Sequence, residues 1–243
     1  MMPQAADTSA TARLCVALDM TDAARAAALA KALAQSGAAH MVKVGMELFY
    51  AAGADGYAQV ARAGLPVFLD LKLHDIPNTV ARGLDALLAL DPPPAIVNVH
   101  ATGGPEMLRA AAQAVNGRAK LVAVTVLTAL GEEDLAAIGL SGPASEAVLR
   151  LARLARQAGL DGVVCSPREV ADIRRALGKD FLTIVPGVRP AGAQLADQKR
   201  IATPEAAQAA GADILVVGRP ITQAADPAAA ARAILSSLRG GGS

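Results

Sequence analysis

In the run Val67-Phe68-Leu69-Asp70-Leu71-Lys72-Leu73-His74-Asp75, a carboxylate and an ammonium stand two residues apart inside an otherwise apolar stretch. The period of two of a β-strand turns Leu69, Leu71 and Leu73 to one face and Asp70 and Lys72 to the other. A lysine held beside a carboxylate can set a fixed positive charge where negative charge develops and then deliver a proton there. Two more apolar runs carry a charge at a comparable place. Asp19 ends Cys15-Val16-Ala17-Leu18-Asp19, and Lys43 lies near the end of Met41-Val42-Lys43-Val44-Gly45. Strands buried on both faces read as nearly continuous Val, Ile and Leu, so these charges need an explanation. Structural ion pairing is a weak one, because desolvation of buried charges can outweigh their attraction. Convergence of Asp19, Lys43, Asp70 and Lys72 on one pocket is the stronger reading.

A different chemistry is written at Ile214-Leu215-Val216-Val217-Gly218-Arg219-Pro220-Ile221-Thr222. Glycine and arginine at a helix start suit a phosphate dianion, although a glycine turn with a solvated arginine fits the local residues equally well. Pro186-Gly187-Val188-Arg189-Pro190 supplies a second arginine at the end of another apolar run, which tips the balance toward phosphate. His40, His74 and His100 form no i, i+4 pair and no His-x-His, so no metal site is predicted. No Gly-x-Ser-x-Gly nucleophile turn is present either. His100, closing Val97-Asn98-Val99-His100, is read as structural.

The elements that must position these residues are short β-branched or apolar runs near 14–18, 41–45, 67–72, 95–100, 120–126, 162–165, 182–185 and 213–217. Between them lie segments of helical periodicity, among them Asp22–Gln35, Asn78–Leu90, Pro105–Val115, Ser145–Ala158 and Pro227–Leu238. Strict alternation implies parallel strands with helical crossovers, and eight units favour a closed (β/α)8 TIM barrel over an open doubly wound sheet. A dinucleotide fold would place Gly-x-Gly-x-x-Gly after the first strand, where this chain has Ala17-Leu18-Asp19-Met20-Thr21-Asp22. The charged residues all fall toward C-terminal strand ends, the active face of such a barrel. Two long connections, Thr125 to about Pro143 and Pro186 to about Thr203, follow strands on that face and read as substrate-covering loops.

With 243 residues, of which 53% are hydrophobic and 19% charged, the chain suits a single globular α/β domain. The expected layout is an extension over 1–12, a barrel over 13–239 and a Gly/Ser tail over 240–243. A net charge of +1, with dispersed basic residues, points away from nucleic acid and from an anionic membrane surface. Cys15 and Cys165 each sit in an apolar run and read as buried free thiols of a reducing compartment. Neither a basic-apolar leader nor an uninterrupted apolar span of about 18 residues is visible, so a cytoplasmic protein is expected.

The run Asp70-Leu71-Lys72-Leu73-His74-Asp75-Ile76-Pro77-Asn78-Thr79 resembles the orotidine 5′-phosphate decarboxylase family. Leu18-Asp19, Val42-Lys43-Val44-Gly45, Val97-Asn98-Val99-His100, Leu127-Thr128, Val185-Pro186-Gly187-Val188-Arg189 and Val216-Val217-Gly218-Arg219 follow in the family's order, covering about residues 13 to 223. Asp-x-Lys-x-x-Asp alone is shared with related sugar-phosphate decarboxylases and synthases, whereas the continuation through Pro77-Asn78-Thr79 is specific to the orotidylate branch. The resemblance implies decarboxylation of orotidine 5′-phosphate to UMP, with neither a metal nor an organic cofactor required. It assigns Lys72 as proton donor to C6 of the pyrimidine, with Asp70 beside the departing carboxylate and Lys43 and Asp75 completing an alternating charge array. Asp19 and Lys43 would bind ribose, Thr128 would lie near the pyrimidine, and Arg189, Gln198, Gly218 and Arg219 would hold the phosphate. Gln198 is chosen over Gln194 because Asp197-Gln198-Lys199-Arg200 matches the family's run. The resemblance also implies a homodimer in which Asp75 and Thr79 reach the neighbouring site. A Mg²⁺-dependent enzyme acting on a keto-sugar phosphate, or a non-catalytic nucleotide-binding barrel, are the competing readings.

Overall fold

The computed structural model describes residues 11–140, 142–189 and 202–240. Eight strands pair in parallel and in sequence order: β1 (Arg13–Ala17), β2 (Met41–Gly45), β3 (Val67–Leu73), β4 (Ile96–His100), β5 (Lys120–Val124), β6 (Gly162–Val164), β7 (Leu182–Val185) and β8 (Ile214–Val217). Pairing of β8 with β1, Leu14 opposite Leu215 and Val16 opposite Val217, closes the barrel. The crossovers carry α1 (Ala23–Gln35), α2 (Met46–Ala61), α3 (Pro77–Leu88), α4 (Gly104–Val115), α5 (Glu132–Ala137), α6 (Ala144–Gln157), α7 (Val170–Leu177), α8 (Pro204–Ala209), α9 (Arg219–Thr222) and α10 (Pro227–Gly240). Asp22 caps α1 by accepting from the Arg25 N–H at 3.0 Å, which satisfies one of the unpaired donors at a helix start.

Strand alternation divides the core in two. Leu14, Val16, Val42, Val44, Val67, Leu69, Val97 and Val99 face outward and pack under the helices. Cys15, Ala17, Met41, Phe68, Ile96, Val122, Ile184, Ile214 and Val216 fill the interior. Lys43, Asp70 and Asn98 occupy the same inward phase of β2, β3 and β4, one step further toward the C-terminal rim. Both cysteines are buried free thiols, and burial pushes the Cys15 thiol up to about 12.

One expectation is corrected by the fold. The connection from Thr125 to Pro143 is not an uninterrupted loop, because α5 forms within it, opened by Glu132, Glu133 and Asp134 near its positive N-terminal end. The alternation of β3 holds, with Leu69, Leu71 and Leu73 in the outer core and Asp70 and Lys72 on the cavity, but its pairing with β4 shifts register near the end. Leu69 pairs with Val97 and Leu73 with Val99, so Asp70, Leu71 and Lys72 stand against Asn98 alone. Lys72 takes a left-handed backbone with φ 52°, a conformation that costs an L-residue about 1–2 kcal/mol and persists where the surroundings fix it. Gln198 and most of the connection from Pro186 to Thr203 lie outside the described residues. Among the described residues no helix is long and apolar enough to cross a membrane.

Candidate active site

A cavity of about 630 Å³ opens at the C-terminal rim of the barrel. Asp19, Lys43, Asp70 and Lys72 line it, each delivered by the end of β1, β2 or β3. Their charges form an unbroken alternating chain. Lys43 Nζ lies 2.8 Å from Asp19 Oδ1 and 3.2 Å from Asp70 Oδ2, while Lys72 Nζ lies 2.8 Å from Asp70 Oδ1. Lys43 and Asp70 are buried, Lys72 is partly exposed, and Asp19 is about half exposed at the open end.

Burial disfavours the charged form of Asp70, yet the ammoniums of Lys43 and Lys72 and hydrogen bonds from Lys72 and Asn98 outweigh it, holding the carboxyl below its ordinary 3.8. Burial likewise works against charge on Lys43, and Asp70 and Asp19 overcome it, raising that ammonium above its ordinary 10.5. The linkage runs in opposite directions for the two groups. Asp70 contributes stability that is present above pH 3.8 and lost as pH falls through its lower folded pKa. Lys43 contributes stability that is present below pH 10.5 and lost as pH rises through its higher folded pKa. The stability difference between wild type and an Asp70→Asn/Lys43→Met double variant should therefore stay flat from about pH 7.5 to pH 9 in urea titrations, above the range where His100, itself a neighbour of Asp70, titrates. A slope inside that window would mean that one of the pair titrates there.

Around the rim past β1, Gly218 and Arg219 join β8 to α9 beside Asp19, and Arg189 follows β7; all three line the wall. Thr128 lines it from the connection after β5. The cavity therefore has a charged floor near β1 to β3 and two arginines near β7 and β8. Asp75 and Thr79 are not among its lining residues. Both are exposed at the start of α3, and Asp75 Oδ1 accepts from the Ile76 N–H at 2.7 Å. His100 is half-buried with its ring 5.4 Å from that of His74. Burial, then the neighbouring His74 and Lys72, lower its pKa below 6.5 against the opposing pull of Asp70.

Residues 12–234 match the family described as orotidine 5′-phosphate decarboxylase / HUMPS. The chain belongs to this family. A protein named orotidine 5′-phosphate decarboxylase from Halorhodospira halophila is 56% identical over 233 residues, covering 95% of this chain and 97% of its own length. Its namesake from Anaeromyxobacter dehalogenans is 53% identical over 226 residues, covering 93% of this chain and 98% of its own. Among solved structures, the orotidine 5′-phosphate decarboxylase of Lactobacillus acidophilus superposes with a TM-score of 0.78 at 40% identity, over 93% of this chain and 99% of that one.

Two features of this orotidine 5′-phosphate decarboxylase / HUMPS chain were passed over in its sequence. Asn98 is fully buried and bonds to both Asp70 and Lys72; the signal was a polar residue in the inward phase of an apolar strand. A Cβ on Gly45 would lie 2.8 Å from Lys43 Nζ and 2.9 Å from Asp19 Oδ1. A Cβ there would push the two flexible ends of the ion pair from their present places, and spacing along the chain gives no sign of it.

Proposed function

We propose that this protein is an orotidine 5′-phosphate decarboxylase, a carboxy-lyase that converts orotidine 5′-phosphate to UMP and CO₂ in the last step of de novo pyrimidine synthesis. The observation that carries this reading is the alternating Asp19–Lys43–Asp70–Lys72 chain, which lines one cavity together with Arg189 and Arg219. Relatives of that name at more than half identity over nearly the whole chain support it.

In the reaction the bond from C6 to the carboxylate breaks, CO₂ departs, and the electron pair remains on C6. The ring cannot delocalise that pair as an enolate, so the ammonium of Lys72 stabilises it directly and then transfers its proton to C6. Asp70 faces the departing carboxylate and orients Lys72. Asp19 and Lys43 bind the ribose hydroxyls, Thr128 lies against the pyrimidine, and Arg189, Gln198, Gly218 and Arg219 hold the phosphate. Demanding reactions need barrier lowering of up to about 23 kcal/mol, more than one ion pair supplies, so phosphate binding far from C6 contributes by drawing the long connections over the substrate.

A Mg²⁺-dependent sugar-phosphate enzyme would need carboxylates free to hold a cation. Here the ammonium of Lys43 already occupies the space between Asp19 and Asp70, and among the described residues no three His, Cys, Asp or Glu side chains stand together as a metal site. The enzyme is read as a cytoplasmic homodimer whose Asp75 and Thr79 complete the neighbouring site. Exposed Met46, Tyr50 and Ile76, on the segments that follow β2 and β3, favour a partner at that rim.

The deciding experiment follows the absorbance of orotidine 5′-phosphate in excess chelator. Turnover that resists the chelator supports the reading, and a folded protein without turnover overturns it. Gly45→Ala should lower kcat/KM about tenfold or more, because its methyl group displaces Lys43 from Asp19 and a charge-assisted hydrogen bond is lost. An unchanged kcat/KM would show that the pair does not bind substrate.

A further inference from the structure

Asn98 lies behind the wall of the cavity. It is fully buried, it is not a lining residue, and both ends of its carboxamide are engaged. Its Oδ1 accepts from the backbone N–H of Lys72 at 2.8 Å, and its Nδ2 donates to Asp70 Oδ1 at 2.7 Å. The orientation is chemically forced. An N–H can only donate and a carboxylate can only accept, so the amide has one way to satisfy both partners.

The two bonds fall where β3 leaves its ladder. Three residues of β3 face Asn98, and Lys72 stands there in a left-handed conformation that a strand does not supply. The N–H of Lys72 meets a side chain of β4 in place of a strand carbonyl. That same side chain grips the carboxylate that holds the Lys72 ammonium at 2.8 Å.

We propose that Asn98 is a positioning residue of the decarboxylation: its one carboxamide fixes the backbone of Lys72 and the carboxylate of Asp70 together, and so sets the direction of the ammonium. It is the buried donor to Asp70 that carries no charge. When Lys72 gives up its proton, Asp70 Oδ1 keeps Asn98 and Oδ2 keeps Lys43, so the carboxylate stays ionised and in place for the next cycle.

This inference rests on the decarboxylase reading, and the test separates the two. Wild type, Asn98→Ala and Asn98→Asp are assayed with orotidine 5′-phosphate across pH, with circular dichroism to check folding. Wild type without turnover overturns the decarboxylase reading itself. Given wild-type turnover, Asn98→Ala should lower kcat about 10²-fold, the scale of a small misplacement of a catalytic group, with KM changed less than about threefold.

Asn98→Asp supplies the readout that a packing role would not move. Protonated, the introduced carboxyl reproduces the donor and acceptor of the amide; ionised, it faces Asp70 with like charge and has no proton to give. Its kcat relative to wild type at the same pH should recover at least about tenfold between pH 8 and pH 5. The other charged groups around it, Asp19, Lys43, Asp70, Lys72, His74 and His100, are present in both proteins, so the ratio reports the introduced carboxyl together with its coupling to them. A wild-type kcat in folded Asn98→Ala, a loss confined to KM, or a pH-independent ratio in Asn98→Asp would each overturn the proposal. Should Asn98→Ala fail to fold, the ratio for Asn98→Asp, which keeps the size and shape of the side chain, decides.

Discussion

Lys72→Ala is expected to lower kcat for orotidine 5′-phosphate by about 10⁵-fold, while the dissociation constant for UMP changes less than about tenfold. The size follows from two roles in one side chain. General-acid catalysis contributes about 10² to 10⁴, and a preorganised charge at the developing anion about 10² to 10³. Removing the ammonium removes both, and the remaining cation at this end of the cavity, Lys43, is held between Asp19 and Asp70. The weak effect on UMP follows from a separate set of phosphate contacts, since Arg189 and Arg219 line the cavity from the ends of β7 and β8, neither of which pairs with β3. The fold should survive, because Asp70 retains Lys43 at 3.2 Å and Asn98 at 2.7 Å. Single-turnover rates and UMP titrations on the same preparation check both halves. A residual kcat within about tenfold of wild type would remove Lys72 from the chemistry.

The part of the site built from strand ends was legible because barrel strands leave little freedom. Once eight apolar runs alternate with helical segments, period-two phase assigns Lys43 and Asp70 inward and closure brings β1, β2 and β3 side by side. Arg189 and Arg219 lie 30 residues apart in the chain and yet share a wall because β7 and β8 are neighbours. What stayed hidden depends on tertiary contacts. No local signal marks the left-handed backbone of Lys72, since the residue that holds it lies on the next strand. Asn98 was visible as an inward polar residue in Val97-Asn98-Val99-His100, but the two groups it bonds lie on β3 and leave no mark in that run. Helix α5 was missed because six residues are too few to establish a 3.6-residue period. Asp75 and Thr79 mark a firmer limit: the spacing of one chain carries no information about where a second chain sits.

The proposed homodimer underlies the other large effect. Lys72→Ala and Asp75→Ala proteins, each nearly inactive alone, should regain about a quarter of wild-type activity when unfolded, mixed in equal amounts and refolded together. In a twofold dimer whose sites draw Lys72 from one subunit and Asp75 from the other, a mixed pair contains one site with both residues intact and one with neither. Random pairing makes about half of the dimers mixed, which leaves about one site in four complete. The exposure of Asp75 favours this arrangement, because within one chain its carboxylate accepts from the Ile76 N–H at the rim and does not line the cavity that holds Lys72. Beside it, Ile76 is 66% exposed and Tyr50 72% exposed, apolar surface that a partner at this rim would cover. If each subunit works with its own Asp75, every mixed dimer contains only damaged sites and mixing restores nothing. Heterodimers purified with two different affinity tags distinguish that outcome from failure to exchange: with both parent variants inactive, half of wild-type activity in the tagged heterodimer means that the site is shared, and none means that Asp75 serves its own chain, whereas an Asp75→Ala protein active by itself would remove Asp75 from the reaction.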